Sequence, residues 1–209
     1  MKKFGLMFVC LFVLTLSGCK SDVTLEEGQY YKVIKKDGSA SIDWCLSDDE
    51  AEEIFGFDFK KDDKDEMKEA ILDKIDEWDY DVEFTNFKKG DDYIKYTLID
   101  EEGDDILFED VDFTLEDYAD DYYNLDVDEL AEDMKFVYYK NDEKVDEEDI
   151  EDYEDSFAIS IYGDIEGAYY KVPGKILLVG EESEDMDYEK ISKDTIFLDK
   201  DVSVVIVYK

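Results

Sequence analysis

The chain contains no arginine and no histidine: all 23 of its basic residues are lysine, set against 62 acidic residues, and the formal net charge is −39. Each absence removes chemistry. Without arginine there is no planar fork for bidentate capture of phosphate or carboxylate. Without histidine the usual general base, the Ser-His-Asp triad and the commonest transition-metal ligand all drop out together. A charge of this sign repels nucleic acid, whose binding needs phosphates neutralised by Lys and Arg, so no nucleic-acid partner is expected. Proline occurs once, at Pro173, and cysteine three times, at Cys10, Cys19 and Cys45. No glycine-rich phosphate loop, G-x-S-x-G elbow or dinucleotide fingerprint is present.

What the chain does have is enough apolar material for a core. Apolar residues make up 44% and aromatics 15%, with 16 Tyr and 13 Phe, which separates it from disordered acidic chains. The length suits one domain, or two small ones sharing a sheet.

At the N-terminus, Lys2 and Lys3 precede an apolar run from Phe4 to Leu16, followed by the small residues Ser17 and Gly18 and then Cys19. This reads as an export signal, and it is too short to span a bilayer, which takes about 20 apolar residues. Leu16-Ser17-Gly18-Cys19 resembles the lipobox of bacterial lipoproteins. The resemblance implies cleavage between Gly18 and Cys19, a diacylglyceryl thioether on Cys19 and acylation of the new amino group, since two or more acyl chains are needed for a stable anchor. It makes the membrane a partner through Cys19 and places the protein on the outer face of the cytoplasmic membrane. Cys10 then leaves with the signal, Cys19 carries lipid and Cys45 stands alone, so no disulfide forms within the mature chain. Cys45 reads as a buried small hydrophobe. Ser21 to Glu27 reads as a short polar tether, so that residues 1–18 are signal, 19–27 tether and 28–209 an acidic extracytoplasmic domain.

Within that domain Gln29–Lys36 and Ala40–Leu46 are expected as strands joined at Asp37-Gly38. Ser47 opens a short helix ended by Gly56. Met67, Ile71, Ile75 and Trp78 recur at helical spacing and predict a core-facing amphipathic helix over about 64–78. Period-two patterning from Val82 to Phe113, broken at Lys88-Lys89-Gly90-Asp91 and at Glu101-Glu102-Gly103-Asp104, predicts a three-stranded meander. A short helix follows from Thr114 to about Tyr123, another turn or two from Asp126 to Asp133, a strand from Met134 to Lys140, and a solvated loop or weak helix over Asn141–Asp155. Strands are then expected at Ser156–Tyr162, Gly167–Val172, Lys175–Val179, Thr195–Leu198 and Val202–Tyr208. The last is apolar at consecutive positions, which suits a central strand covered on both faces. The fold class is α+β, mainly antiparallel sheet with one amphipathic helix and one or two short helices.

Two segments echo each other: Gly28-Gln29-Tyr30-Tyr31-Lys32-Val33 and Gly167-Ala168-Tyr169-Tyr170-Lys171-Val172 differ only at their second residue. Tyr138-Tyr139-Lys140 repeats part of the pattern in this Tyr- and Lys-rich chain, so chance or convergent strand chemistry is favoured over duplication. Gly-x-Tyr-Tyr-Lys, Val172-Pro173-Gly174-Lys175-Ile176-Leu177, Asp194-Thr195-Ile196 and the closing Val207-Tyr208-Lys209 together resemble uncharacterised lipoproteins of low-GC Gram-positive bacteria, a likeness that implies no activity.

The carboxylates are the remaining chemistry. An EF-hand loop needs an acid five residues before a glycine, and no glycine here has one. Clustered carboxylates, such as the run that includes Asp146, Glu147, Asp149 and Asp152, offer weak calcium binding, though a solvated face is the ordinary reading of such a run; no other cofactor is expected. These features favour a non-catalytic binding module, its tyrosine-rich sheet facing a protein or glycan partner. The alternative is a carboxylate-based hydrolase of surface polysaccharide, which needs two opposed acids in a concave site.

Overall fold

The computed structural model describes residues 23–103, 113–127, 129, 137–141, 143–163, 167–181, 188–198 and 202–209. The described residues form an α+β fold of two mostly antiparallel sheets and three α-helices. The expected export signal, residues 1–18, and Cys19 lie outside them.

The chain enters through the hairpin β1 (Tyr30–Ile34) and β2 (Ala40–Ser47), with Gly38 at φ +88° in the turn. Helix α1 (Asp48–Phe55) starts at a capping box. Ser47 accepts the Glu50 N–H, and the Glu50 carboxylate accepts the Ser47 N–H at 2.8 Å. Gly56 ends α1 in the left-handed region at φ +76°, a conformation that costs any other residue more. Helix α2 (Lys64–Glu77) starts at a second capping box, built from Asp63 and Glu66. Its Met67, Ile71 and Ile75 are buried as their spacing requires. Trp78 departs from that stripe: it is the C-cap and remains 41% exposed, its ring lying against Phe55 and Tyr80.

Strands β3 (Glu83–Lys89) and β4 (Tyr93–Asp100) follow. β3 continues through Lys88 and Lys89, which the sequence pattern assigns to a turn. A bulge between Thr85 and Lys88 absorbs the extra residues, with Asn86 at φ +57° inside it. The third strand of the expected meander, around 106–111, lies outside the described residues. Helix α3 (Leu115–Tyr123) opens at Thr114 with a third capping box. Most of the turn expected at 126–133 and the first residues of the expected strand at 134–140 are likewise outside the description. β5 (Val137–Lys140) falls in that expected strand, and a 3-10 helix (Glu147–Tyr153) forms where a loop or weak helix is expected over 141–155; the two-residue β6 (Glu143–Lys144) is the departure there.

In the last third the chain alternates between sheets. β7 (Phe157–Gly163), β9 (Ile176–Glu181) and β12 (Val202–Tyr208) belong to the five-stranded sheet, ordered β6-β5-β9-β12-β7. β8 (Ala168–Lys171), β10 (Tyr188–Lys190) and β11 (Thr195–Leu198) join the seven-stranded sheet, ordered β10-β11-β8-β1-β2-β4-β3. Pro173-Gly174 makes one crossing between the sheets, and Lys209 seals it by exchanging backbone hydrogen bonds with Lys175. β10 has no counterpart in the sequence reading.

One face of the seven-stranded sheet is the main core. Tyr30, Ile34, Ile42, Leu46, Ile94, Leu98, Tyr170 and Ile196 pack there against Met67, Ile71 and Ile75 of α2 and against Ile159, Ile176, Val204 and Ile206 of the five-stranded sheet. The far face of the five-stranded sheet forms a second cluster with Leu115, Tyr118 and Ala119 of α3 and Ile150 of the 3-10 helix. β12 lies between β9 and β7 and supplies both clusters, Val204 and Ile206 to one and Val205 and Val207 to the other. This is the doubly covered strand that its unbroken apolar run predicts.

Candidate functional site

The second face of the seven-stranded sheet carries neither helix nor sheet among the elements packed into these two clusters, and it is where polar and aromatic side chains gather. Its strands place one residue from each in a single cross-strand row. Glu189 stands opposite Phe197, Phe197 opposite Tyr169, Tyr169 opposite Tyr31, Tyr31 opposite Asp43, Asp43 opposite Thr97, and Thr97 opposite Thr85. Residues in register on neighbouring strands share a face, so all seven belong to this surface.

The row has two halves. In the aromatic half, the Tyr169 and Phe197 rings lie 4.7 Å apart at 46°, and Tyr31 meets Tyr169 edge-on at 6.4 Å. Tyr31 is buried, while Tyr169 and Phe197 are half-buried. Gly167 makes room for this arrangement: a Cβ there would stand 2.6 Å from the Phe197 ring, and its φ of +127° disfavours any other residue.

In the polar half, the Thr97 hydroxyl donates to the Asp43 carboxylate at 2.6 Å, and the Asn86 amide donates to the Thr97 hydroxyl at 3.3 Å. The bulge in β3 aims Asn86 at this chain of bonds. Bulges re-aim side chains in this way beside functional surfaces. Residues 23–25 cross above as a strap, with the Lys95 ammonium donating to the Leu25 carbonyl at 2.9 Å. Strap and floor enclose an open groove of about 370 Å³, lined by Val23, Leu25, Asp43, Asn86, Lys95 and Thr97 among others. Residues 23–25 of the segment expected as a short polar tether are thus seated on the domain.

Cys45, next to the groove on β2, is free and 1% exposed. Burial pushes its thiol up in pKa, and Lys95 offsets this only in part, so it is packing material and not a nucleophile. Of the acidic run at 146–152, the side chains of Glu147 and Glu148 lie outside the described residues. Asp146 caps the 3-10 helix without a side-chain hydrogen bond, Asp149 and Asp152 are exposed, and among the described residues no group of three or more potential ligands could hold a metal ion. Several carboxylates sit below their ordinary range. Hydrogen bonds from Ser39 do this to Asp37, the Lys61 ammonium to Asp58, the Glu66 and Asp65 N–H groups to Asp63, and Thr114 to Asp117. All four serve turns or helix caps, whereas the acid of a glycosidase must be held above its ordinary pKa.

In comparisons with known proteins, no family model, no curated protein and no solved structure matches this chain.

Proposed function

We propose that this chain is a non-catalytic binding module, exported and lipid-anchored through Cys19 on the outer face of the cytoplasmic membrane of a Gram-positive bacterium, which holds a protein or glycan partner on the second face of its seven-stranded sheet. The observation that carries the binding part is the row itself. Seven strands contribute to one surface that combines half-buried aromatic rings, a carboxylate–hydroxyl–amide chain and a groove, as recognition surfaces do. The anchor rests on the lipobox-like stretch ending at Cys19.

Two measurements test the reading. Cells fed labelled palmitate should incorporate it into the protein and lose that label, with the membrane fraction, in Cys19→Ala; unchanged partition would overturn the anchor. For the face, the full chain in detergent micelles is incubated with cell envelopes. Thr97→Tyr, which fills the groove floor, should reduce retention, whereas Leu72→Ala on the exposed side of α2 should not. Equal retention of both variants removes the sheet face from the function. Release of reducing sugar ends from the same envelopes would bring forward the hydrolase instead.

A further inference from the structure

The aromatic end of the row has the chemistry of a cation site. Tyr169 and Phe197 offer half-exposed ring surface, and attraction between a cation and the face of an aromatic ring is strengthened by nearby carboxylates. Two are present. Glu189 lies opposite Phe197 in the β10–β11 register. Glu26 comes from the strap side: its N–H donates to the Gln29 side chain at 3.0 Å, and the amide nitrogen of that side chain lies 3.6 Å from where a Cβ on Gly167 would be, beside the Phe197 ring. Burial holds the Tyr169 phenol above its ordinary pKa, with Glu26 and Glu189 adding to the effect, so both acids act on the same ring. Three lysines of this face are engaged elsewhere: Lys88, opposite Lys95, lies over the Tyr93 ring. Lys171 pairs with Asp194 at 3.6 Å and Lys95 holds the Leu25 carbonyl.

We propose that Tyr169 and Phe197, between Glu26 and Glu189, form the docking point for a lysine or arginine side chain of a basic segment in a partner protein. The occupant is chosen by charge. A chain of net charge −39 draws cationic segments toward itself and repels acidic proteins, anionic polymers and anionic lipid. Rings between two acids then convert that diffuse attraction into a fixed contact. The proposal rests on reading this face as the binding surface, and it names the class of partner.

The test titrates the full chain in detergent micelles with decalysine at physiological ionic strength. Tyr169→Leu and Phe197→Leu keep an apolar side chain and the net charge but remove the ring, so general charge attraction is unchanged in both. Each is expected to weaken binding about tenfold. Glu26→Gln and Glu189→Gln should weaken it more than Glu77→Gln on α2, which changes the charge equally. Parental affinity in the leucine variants, or equal losses in the three glutamine variants, would leave only diffuse attraction and overturn the proposal. A second measurement needs no variant. Decalysine should protect Tyr169 from nitration while leaving the half-buried Tyr80 and Tyr93 reactive; an unprotected Tyr169 overturns the proposal as well. Loss of this contact with envelope retention still sensitive to Thr97→Tyr would sink the cationic partner and spare the binding face.

Discussion

Tyr30 and Tyr169 hold the same place in the two Gly-x-Tyr-Tyr-Lys-Val segments, yet they face opposite sides of one sheet. β1 and β8 are parallel neighbours, but Tyr30 lies opposite Ala168 and Tyr31 opposite Tyr169, one residue away from the register of the echo. Because side chains alternate along a strand, that single step exchanges inside for outside. Tyr30 therefore meets Tyr170 edge-on in the core, hydroxyl to hydroxyl, while Tyr169 joins Tyr31 and Phe197 on the candidate binding face. Similar sequence here serves two environments.

Stability should peak on the acid side of neutrality. Asp63 accepts the N–H groups of Asp65 at 2.9 Å and Glu66 at 3.1 Å, which lowers its pKa from 3.8. A carboxylate depressed in the native state adds stability above its unfolded pKa and gives it up as pH falls through the native value. Asp37 and Asp117 follow the same rule, so these caps weaken only below about pH 4. Between pH 7 and that point, protonation of other carboxylates relieves the self-repulsion of a −39 chain. Thermal unfolding should give a maximum Tm between roughly pH 4 and 6; a steady fall from pH 7 downward would show that repulsion is not limiting.

Neighbouring residues of α2 should differ sharply. Ile71 is 0% exposed and Leu72 48%. Ile71→Ala should cost about 2–5 kcal/mol and Leu72→Ala less than about 0.5 kcal/mol in urea unfolding. Similar losses would mean that α2 packs on a different face.

Glycines test packing and conformation separately. A Cβ on Gly180 would stand 2.6 Å from the buried Tyr138 ring, so Gly180→Ala should cost about 1–3 kcal/mol through overpacking. Gly56 has nothing within 4 Å but sits at φ +76°, and Gly56→Ala should cost about 1 kcal/mol through backbone strain alone. A change in the urea midpoint at constant slope reads both.

The thiol of Cys45 should respond to unfolding and to little else. With Cys10 and Cys19 replaced by serine, labelling in native buffer is expected to be about a hundredfold slower than in denaturant, because reagent and thiolate meet only when the sheet opens. Fast native labelling would place Cys45 at the surface, against its 1% exposure.

Local signals were the readable ones. Ser47 and Thr114 each announce a helix through a side chain and an acid three residues later, and both capping boxes form; α2 was legible from its apolar spacing, and its box at Asp63 appears only in the structure. The apolar run of β12 likewise states that both faces are covered. Long-range pairings left no such mark. Nothing near Tyr31 says that Tyr169 will lie beside it, so the row on the candidate binding face, assembled from six separate pairings, had no signature of its own. The bulge at Asn86 was hidden because Lys88 and Lys89 resemble turn residues, and β10 is only three residues long, too short for a period. Of the many tyrosines only Tyr31 and Tyr169 stand in the row, and neither the groove nor the strap was legible.

The hydrogen bond from Lys95 to the Leu25 carbonyl shortens the leash. Four residue steps separate Val23, on the sheet, from Cys19, and a fully extended chain covers at most about 14 Å in that distance. A domain hung from lipid at Cys19 would therefore ride close to the bilayer with little freedom to swing. Any partner would have to come to it in the thin layer next to the membrane, at a height fixed by the strap.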